Sequence, residues 1–324
     1  MFRTTVSRHR LWRGTQRRIV RPGAPQAAVG LATAACVYVA WSSLAAGAVA
    51  ASPVVVTPPV ALTASWTTVA RVHGHPAAWI AQRAGAALMR FDQGLAHLTL
   101  HAGSDDGGVV GWSYGDQITP REIHLVVAAF NGGFKLTYSD VGFASGGRVA
   151  VALKPGLASI VTYTDGTSNI GVWHDGVPAA RKTVFSVLQN QHLLVDRGVA
   201  AANVTTCVMA CWGVTIQNLT IVPRSGLGIT ATGQLVWAAG ERLSPAGLAA
   251  ALVSAGAVRA IELDINPYAV AGYLYVHHAT GPVPVPVVPG QQGIPGQLLA
   301  PYTPQECANA SDTQGTLHHK RRLL

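Results

Sequence analysis

The sequence predicts an α+β domain, a strand-rich mixed sheet with few helices packed on it, standing as a single domain behind an N-terminal transmembrane segment. Three observations predict it. Short apolar runs bounded by Gly, Pro, Asn and Asp recur along the chain. Strand signals outnumber helix signals, and the one well-marked helix is inserted between sheet elements. With 324 residues, 49% of them hydrophobic, the chain has enough apolar surface for a substantial core.

Residues 1–26 form a basic head with seven Arg and no acid, and Lys320, Arg321 and Arg322 close a basic tail over 306–324. Of the 23 basic residues these ends hold ten and of the 14 acidic residues two, leaving 13 basic against 12 acidic residues in the body despite the overall charge of +9. A nucleic-acid partner is thereby disfavoured, since phosphate recognition needs a basic stripe on the folded domain. Residues 27–51 carry no charge, and about 20 such residues span a bilayer as a helix. Arginines on the N-terminal flank place that end inside and the rest outside. Two readings stand: an uncleaved anchor, or a signal peptide cut near Ala48-Val49-Ala50. Either one puts the body of the chain at the membrane's outer face or secretes it. In that oxidising setting Cys207 pairs with Cys211, or one of the two pairs with Cys307.

Residues 52–65, with three prolines, read as an extended linker, and the domain is expected over 66–305, starting at Trp66. Strands are expected at 95–100 and 123–130, the second ending in Asn131-Gly132-Gly133-Phe134. A hairpin is expected at 159–164 and 168–173 around Asp165-Gly166, and another at 226–231 and 234–239 around Thr232-Gly233. Ser244-Pro245 marks a helix start, with Ser as N-cap and Pro at the first position, and Gly256 marks its end. In Ile261-Glu262-Leu263-Asp264-Ile265-Asn266 polar and apolar residues alternate, so a strand puts Glu262, Asp264 and Asn266 on one face. Residues 281–290, GPVPVPVVPG, read as an extended surface loop.

Taken in order, a strand ending in Asn131-Gly132-Gly133-Phe134, then Arg224-Ser225-Gly226-Leu227-Gly228-Ile229-Thr230 opening a hairpin, a helix, and a strand ending in Leu263-Asp264 resemble the phosphodiester glycosidase family. The resemblance covers about residues 90–300. It implies an extracytoplasmic hydrolase that cleaves the bond between an anomeric carbon and a phosphodiester oxygen, in a cell-envelope glycan or exopolysaccharide. Where the family continues Leu-Asp with a run of glycines, this chain has Ile265-Asn266-Pro267-Tyr268. A non-catalytic surface protein of the same fold, binding a glycan or a protein partner, is the alternative.

A glycosidase uses two carboxyl groups, and a phosphate leaving group lets a cation take over part of the acid's work. Asp264 is the expected base or nucleophile, with Glu262 beside it on the strand. Arg224 suits the phosphate through its forked donors, with Lys135 as a second phosphate ligand. Asn131, Gly132, Gly133, Ser225 and Asn266 are the expected substrate-binding residues, and Tyr268 can stack on a sugar ring. Glu262 can instead pair with Arg259 or Arg242. No cofactor is expected, although Glu262 and Asp264 together can hold a divalent cation. His73 with His75, and His277 with His278, lack a third ligand at metal spacing.

Overall fold

The computed structural model describes residues 54–57, 61–101, 118–134, 139 and 141–291. The basic head, the apolar run 27–51, Lys135, Cys307 and the basic tail lie outside the described residues. Among the described residues no helix is long and apolar enough to cross a membrane.

In chain order the elements are β1 (Val54–Val56), β2 (Thr67–Val72), β3 (His75–Arg83), β4 (Ala86–Phe91), β5 (Ala128–Phe130), β6 (Phe143–Ser145), β7 (Arg148–Val151), β8 (Ala158–Tyr163), β9 (Ser168–Trp173), β10 (Gly176–Val177), β11 (Val184–Gln189), β12 (Leu193–Asp196) and β13 (Val199–Ala200). Then follow helix α1 (Val208–Trp212), β14 (Val222–Thr230), β15 (Leu235–Leu243), helix α2 (Pro245–Ser254), β16 (Ala257–Glu262), β17 (Gly272–His278) and β18 (Gly281–Pro286). The expected mixed sheet is three sheets. Their orders are β1-β2-β3-β4-β15-β14-β16-β12-β13, β10-β9-β8-β11-β6-β7 and β18-β17-β5. Among the described residues β9 and β10 form the one parallel pair, and neighbours such as β14 and β16 run antiparallel.

The nine-stranded sheet is apolar on both faces. On one face Met89, Leu227, Trp237 and Ile261 meet Phe143, Ile160 and Leu188 of the six-stranded sheet and Phe130 and Leu274 of the three-stranded one. Phe130 stacks on Trp237 with ring centroids 5.7 Å apart, which locks the strand before Asn131 against the large sheet. The other face carries Leu88, Val236, Ala238 and Ala260 against Leu248, Ala251 and Leu252 of α2. That helix starts as expected, since Ser244 Oγ accepts from the Gly247 N–H at 3.0 Å and Pro245 stands in the first turn. Gly256 follows its end with φ +92.

The alternation in Arg224-Ser225-Gly226-Leu227-Gly228 now has a physical reason. Leu227 faces the sheet-to-sheet core, whereas Gly226 and Gly228 face the helix side. A Cβ on Gly226 would lie 3.1 Å from Leu252 Cδ1, and one on Gly228 only 2.8 Å from Ala257 Cβ. Bare backbone at these two positions lets α2 and β16 close onto β14.

Five expectations change. Val54–Val56, inside the supposed linker, is a strand paired with β2, with Val54 and Val56 buried and Val55 outward. Three successive β-branched residues outweigh the flanking prolines there. Residues 95–100 are not a strand: the Asp92 carbonyl accepts from the N–H groups of Leu95 and Ala96, turning the chain before it runs unpaired into the core. The 123–130 segment splits into a 3-10 turn at Ile123–Leu125 and the three-residue β5. The strand over 261–266 stops at Glu262. Within 281–290, Gly281–Pro286 is an edge strand on β17. Pro282, Pro284 and Pro286 alternate, so all three missing N–H groups fall on the side away from β17 and no ladder bond is lost.

Gly228→Ala tests the close approach of β14 to its neighbours. It is expected to destabilise the fold by about 1–3 kcal/mol through overpacking, read as a lower midpoint in chemical denaturation. An unchanged midpoint would show that this glycine does not set the spacing.

Candidate active site

Arg224 lies in β14 and is wholly buried, at 0% exposure. Its Nη1 donates to Glu262 Oε1 at 2.7 Å and to the Trp212 carbonyl at 3.2 Å. Nε donates to the Leu243 carbonyl at 3.1 Å, and Nη2 to the Thr220 carbonyl at 3.3 Å. One guanidinium thus ties the end of α1, the loop before β14, the end of β15 and the end of β16. Cys207 and Cys211 are joined by a disulfide around α1, the first of the two pairings the sequence leaves open. Glu262 pairs with Arg224 rather than with Arg259, which donates to Asn169 Oδ1, or with Arg242. Burial pushes the Glu262 carboxyl from the ordinary 4.5 up to about 7, against the pull of the Arg224 charge and its hydrogen bond, and Asp264 adds a smaller upward push.

Beside this pair runs a second buried connection. Asn131 Nδ2 donates to Ser225 Oγ at 2.8 Å, and Ser225 Oγ meets both the carbonyl and the N–H of Asp264 at 3.2 Å. Asn131 Oδ1 accepts from the Ala271 N–H at 3.2 Å, closing the chain onto the segment entering β17. Asn190 Nδ2 adds bonds to the carbonyls of Glu262 at 2.6 Å and Leu263 at 3.1 Å. Asn131, Ser225 and Asp264, separated by 94 and 39 residues, are therefore one hydrogen-bonded unit.

Beyond β16 the chain makes two short turns instead of continuing the strand. Asp264 Oδ1 accepts from the N–H groups of Ile265 at 2.7 Å and Asn266 at 2.9 Å. Asn266 Oδ1 accepts from Tyr268 N–H at 2.9 Å, and its carbonyl accepts from Ala269 N–H at 2.9 Å across Pro267. Two Asx turns and a proline thus reverse the chain here.

These supports surround a cavity of about 680 Å³. Asp264 and Asn266 line it, together with Gln191, Thr215, Glu241 and Arg242 and the apolar side chains of Phe134, Met209, Val214, Leu219 and Ile221. Of the expected site residues, Asp264 and Asn266 reach the cavity. Arg224, Glu262, Asn131 and Ser225 are buried and are not among the residues that line it. Gly132 and Gly133 are buried with ordinary φ, and a Cβ on Gly133 would meet Leu188 at a normal 3.8 Å. Tyr268 is exposed and does not line the cavity. Among the described residues no three His, Cys, Asp or Glu side chains are grouped to hold a metal ion, and Glu262, engaged with Arg224, does not join Asp264 as a ligand.

Glu241 and Arg242 are, with Asp264, the charged residues on the cavity wall among the described residues, and neither is an expected site residue. Their presence depends on a register shift in the β14–β15 ladder: Val222 faces Leu243 and Arg224 faces Gly240. Two residues of β15, Glu241 and Arg242, thus stand against Pro223 alone, which is a β-bulge. The relevant signal, a proline across the ladder, lies 18 residues away and is legible only once the strands are paired.

No family model matches the chain, and no curated protein matches it. Among solved structures it is similar to the zebrafish N-acetylglucosamine-1-phosphodiester alpha-N-acetylglucosaminidase catalytic domain auto-inhibited by its pro-peptide, at 13% identity over 75% of this chain and 84% of that one, with a TM-score of 0.43. It is also similar to a hypothetical protein from Synechocystis, at 13% identity over 66% of this chain and 64% of that one, with a TM-score of 0.36. Both likenesses are too distant to carry an argument about function.

Arg224→Ala leaves Glu262 and three carbonyls buried without their partner, and at pH 8 is expected to cost about 3–5 kcal/mol of stability. Thermal and chemical denaturation read this directly, and a loss below about 1 kcal/mol, the range of an exposed ion pair, would contradict the buried geometry. The Glu262 carboxyl also makes stability depend on pH. Its folded value of about 7 lies above 4.5, so between those values the fold binds a proton that the unfolded chain has released. The resulting stabilisation is full below about 4.5 and is lost as pH rises through about 7. The denaturation midpoint of the wild type is expected to fall relative to that of Glu262→Gln over this range, and a constant difference would contradict the assignment.

Proposed function

We propose that this chain is an extracytoplasmic hydrolase that cleaves a sugar-1-phosphodiester linkage in a cell-envelope glycan or exopolysaccharide. The observation that carries the reading is the hydrogen-bonded unit of Asn131, Ser225 and Asp264 at the cavity. These are anchors of the three motifs by which the sequence resembles the phosphodiester glycosidases, and they lie far apart in the chain. A cavity of about 680 Å³ is the size of a small-molecule site and accommodates a sugar and its phosphate. Asp264 serves there as base or nucleophile, and Asn266 binds sugar hydroxyls. Arg242, exposed and on the cavity wall, takes over the phosphate from Arg224. The apolar side chains of Phe134, Val214 and Leu219 offer contact to the C–H faces of a sugar or to its aglycone. Residues 27–51 serve as the membrane anchor or signal, and the Cys207–Cys211 bond fits an oxidising compartment.

A glycan-binding protein of the same fold is favoured by one specific feature: Asp264 Oδ1 already accepts two backbone N–H groups in the turn that replaces the family's glycines. Asp264→Asn separates the two readings. On a panel of sugar-1-phosphodiesters the hydrolase reading expects release of free sugar and phosphomonoester by the wild type, with kcat/KM lower by about 10²–10⁴-fold in the variant. An inert wild type that still binds the substrates in calorimetry would support the binding protein instead.

A further inference from the structure

Successive residues of a regular strand point to opposite faces, yet Glu241 and Arg242 both line the cavity. The bulge opposite Pro223 makes this possible, and bulges re-aim side chains next to active sites. The two residues meet different surroundings. Arg242 is exposed, whereas Glu241 is half-buried, with the turn at Gly290 packed against it: a Cβ on Gly290 would lie 3.9 Å from Glu241 Cγ. Glu241 Oε1 is shut off from solvent and has no hydrogen-bond partner among the described residues. A buried carboxyl oxygen without a donor is unfavourable as a structural element and is least so when the group carries its proton. Burial accordingly pushes this carboxyl up from its ordinary value. The charged groups sharing the cavity, among the described residues, are Arg242 and Asp264.

We infer that Glu241 is the proton donor of this cavity, set there by the β15 bulge to protonate the departing phosphate oxygen. The inference rests on the hydrolase reading and assigns the acid that neither Glu262 nor Arg224, both sealed behind the wall, can supply. As the bond from the anomeric carbon to the phosphate oxygen breaks, the electron pair stays on that oxygen and the Glu241 proton passes to it. The oxygen of a water molecule bonds to the anomeric carbon while its proton passes to Asp264. Free sugar and phosphomonoester result, and exchange with solvent returns Glu241 to its acid form and Asp264 to its carboxylate. Arg242, adjacent on the bulge, holds the phosphate in reach of the acid.

The test compares wild type and Glu241→Gln on one sugar carried by two leaving groups, an alkyl phosphodiester and a dinitrophenol, which departs without a proton. Glu241→Gln is expected to lose about 100-fold in kcat on the phosphodiester and less than about 5-fold on the dinitrophenyl glycoside. It is also expected to lose the fall in kcat that the wild type shows at high pH. Equal losses on both substrates, or an unchanged basic limb of the pH profile, would overturn the assignment of Glu241 alone. A wild type inert on both substrates would overturn the hydrolase reading and this inference with it.

Discussion

The structure depends on one interaction, the buried pair of Arg224 and Glu262. A guanidinium at 0% exposure must find acceptors for its donors within the protein, because an unpaired buried charge is far more costly than the attraction of any single partner repays. Arg224 finds a carboxylate oxygen and three backbone carbonyls. The carbonyls belong to Trp212, Thr220 and Leu243, and the segments around them supply much of the cavity wall. Such pairs seldom add net stability over an apolar replacement. Their contribution here is conformational: the end of α1 and the loop before β14 are held against the ends of β15 and β16.

That division of labour explains how the cavity is built. The buried layer of Arg224, Glu262, Asn131 and Ser225 positions backbone, and Asp264, Asn266, Glu241 and Arg242 line the cavity outside it. Asp264 belongs to both. Its backbone is bonded to Ser225, and its Oδ1 closes the turn through Ile265 and Asn266. Ile265 and Gly213 pack closely, since a Cβ on Gly213 would lie 2.7 Å from Ile265 Cδ1. Ile265 is thus part of the wall, fitted against a glycine on the facing loop.

Signals in the sequence are legible where they act locally. Ser244-Pro245 and Gly256 bound the helix, and Asp165-Gly166 and Thr232-Gly233 turn their hairpins, because capping and turn geometry are decided by a few adjacent residues. What depended on pairing across the sheet was hidden. The burial of Arg224 is legible only once Glu262, 38 residues on, is brought beside it. The alternating prolines of β18 read as a loop until an edge position makes them harmless. Glu241 and Arg242 carry no pattern of their own, since their shared direction arises from a register shift against Pro223.

In the proposed function a sugar phosphate sits in the cavity between Asp264 and Arg242 while Arg224 stays paired behind the wall. A crystal structure with a sugar-1-phosphonate, which cannot be hydrolysed at the phosphorus–carbon bond, tests it most directly. The phosphonate is expected at Arg242, the sugar beside Asp264 and Asn266, and the Arg224–Glu262 pair unchanged. A ligand seated elsewhere, or Arg224 turned out of its pair to meet the phosphonate, would contradict it.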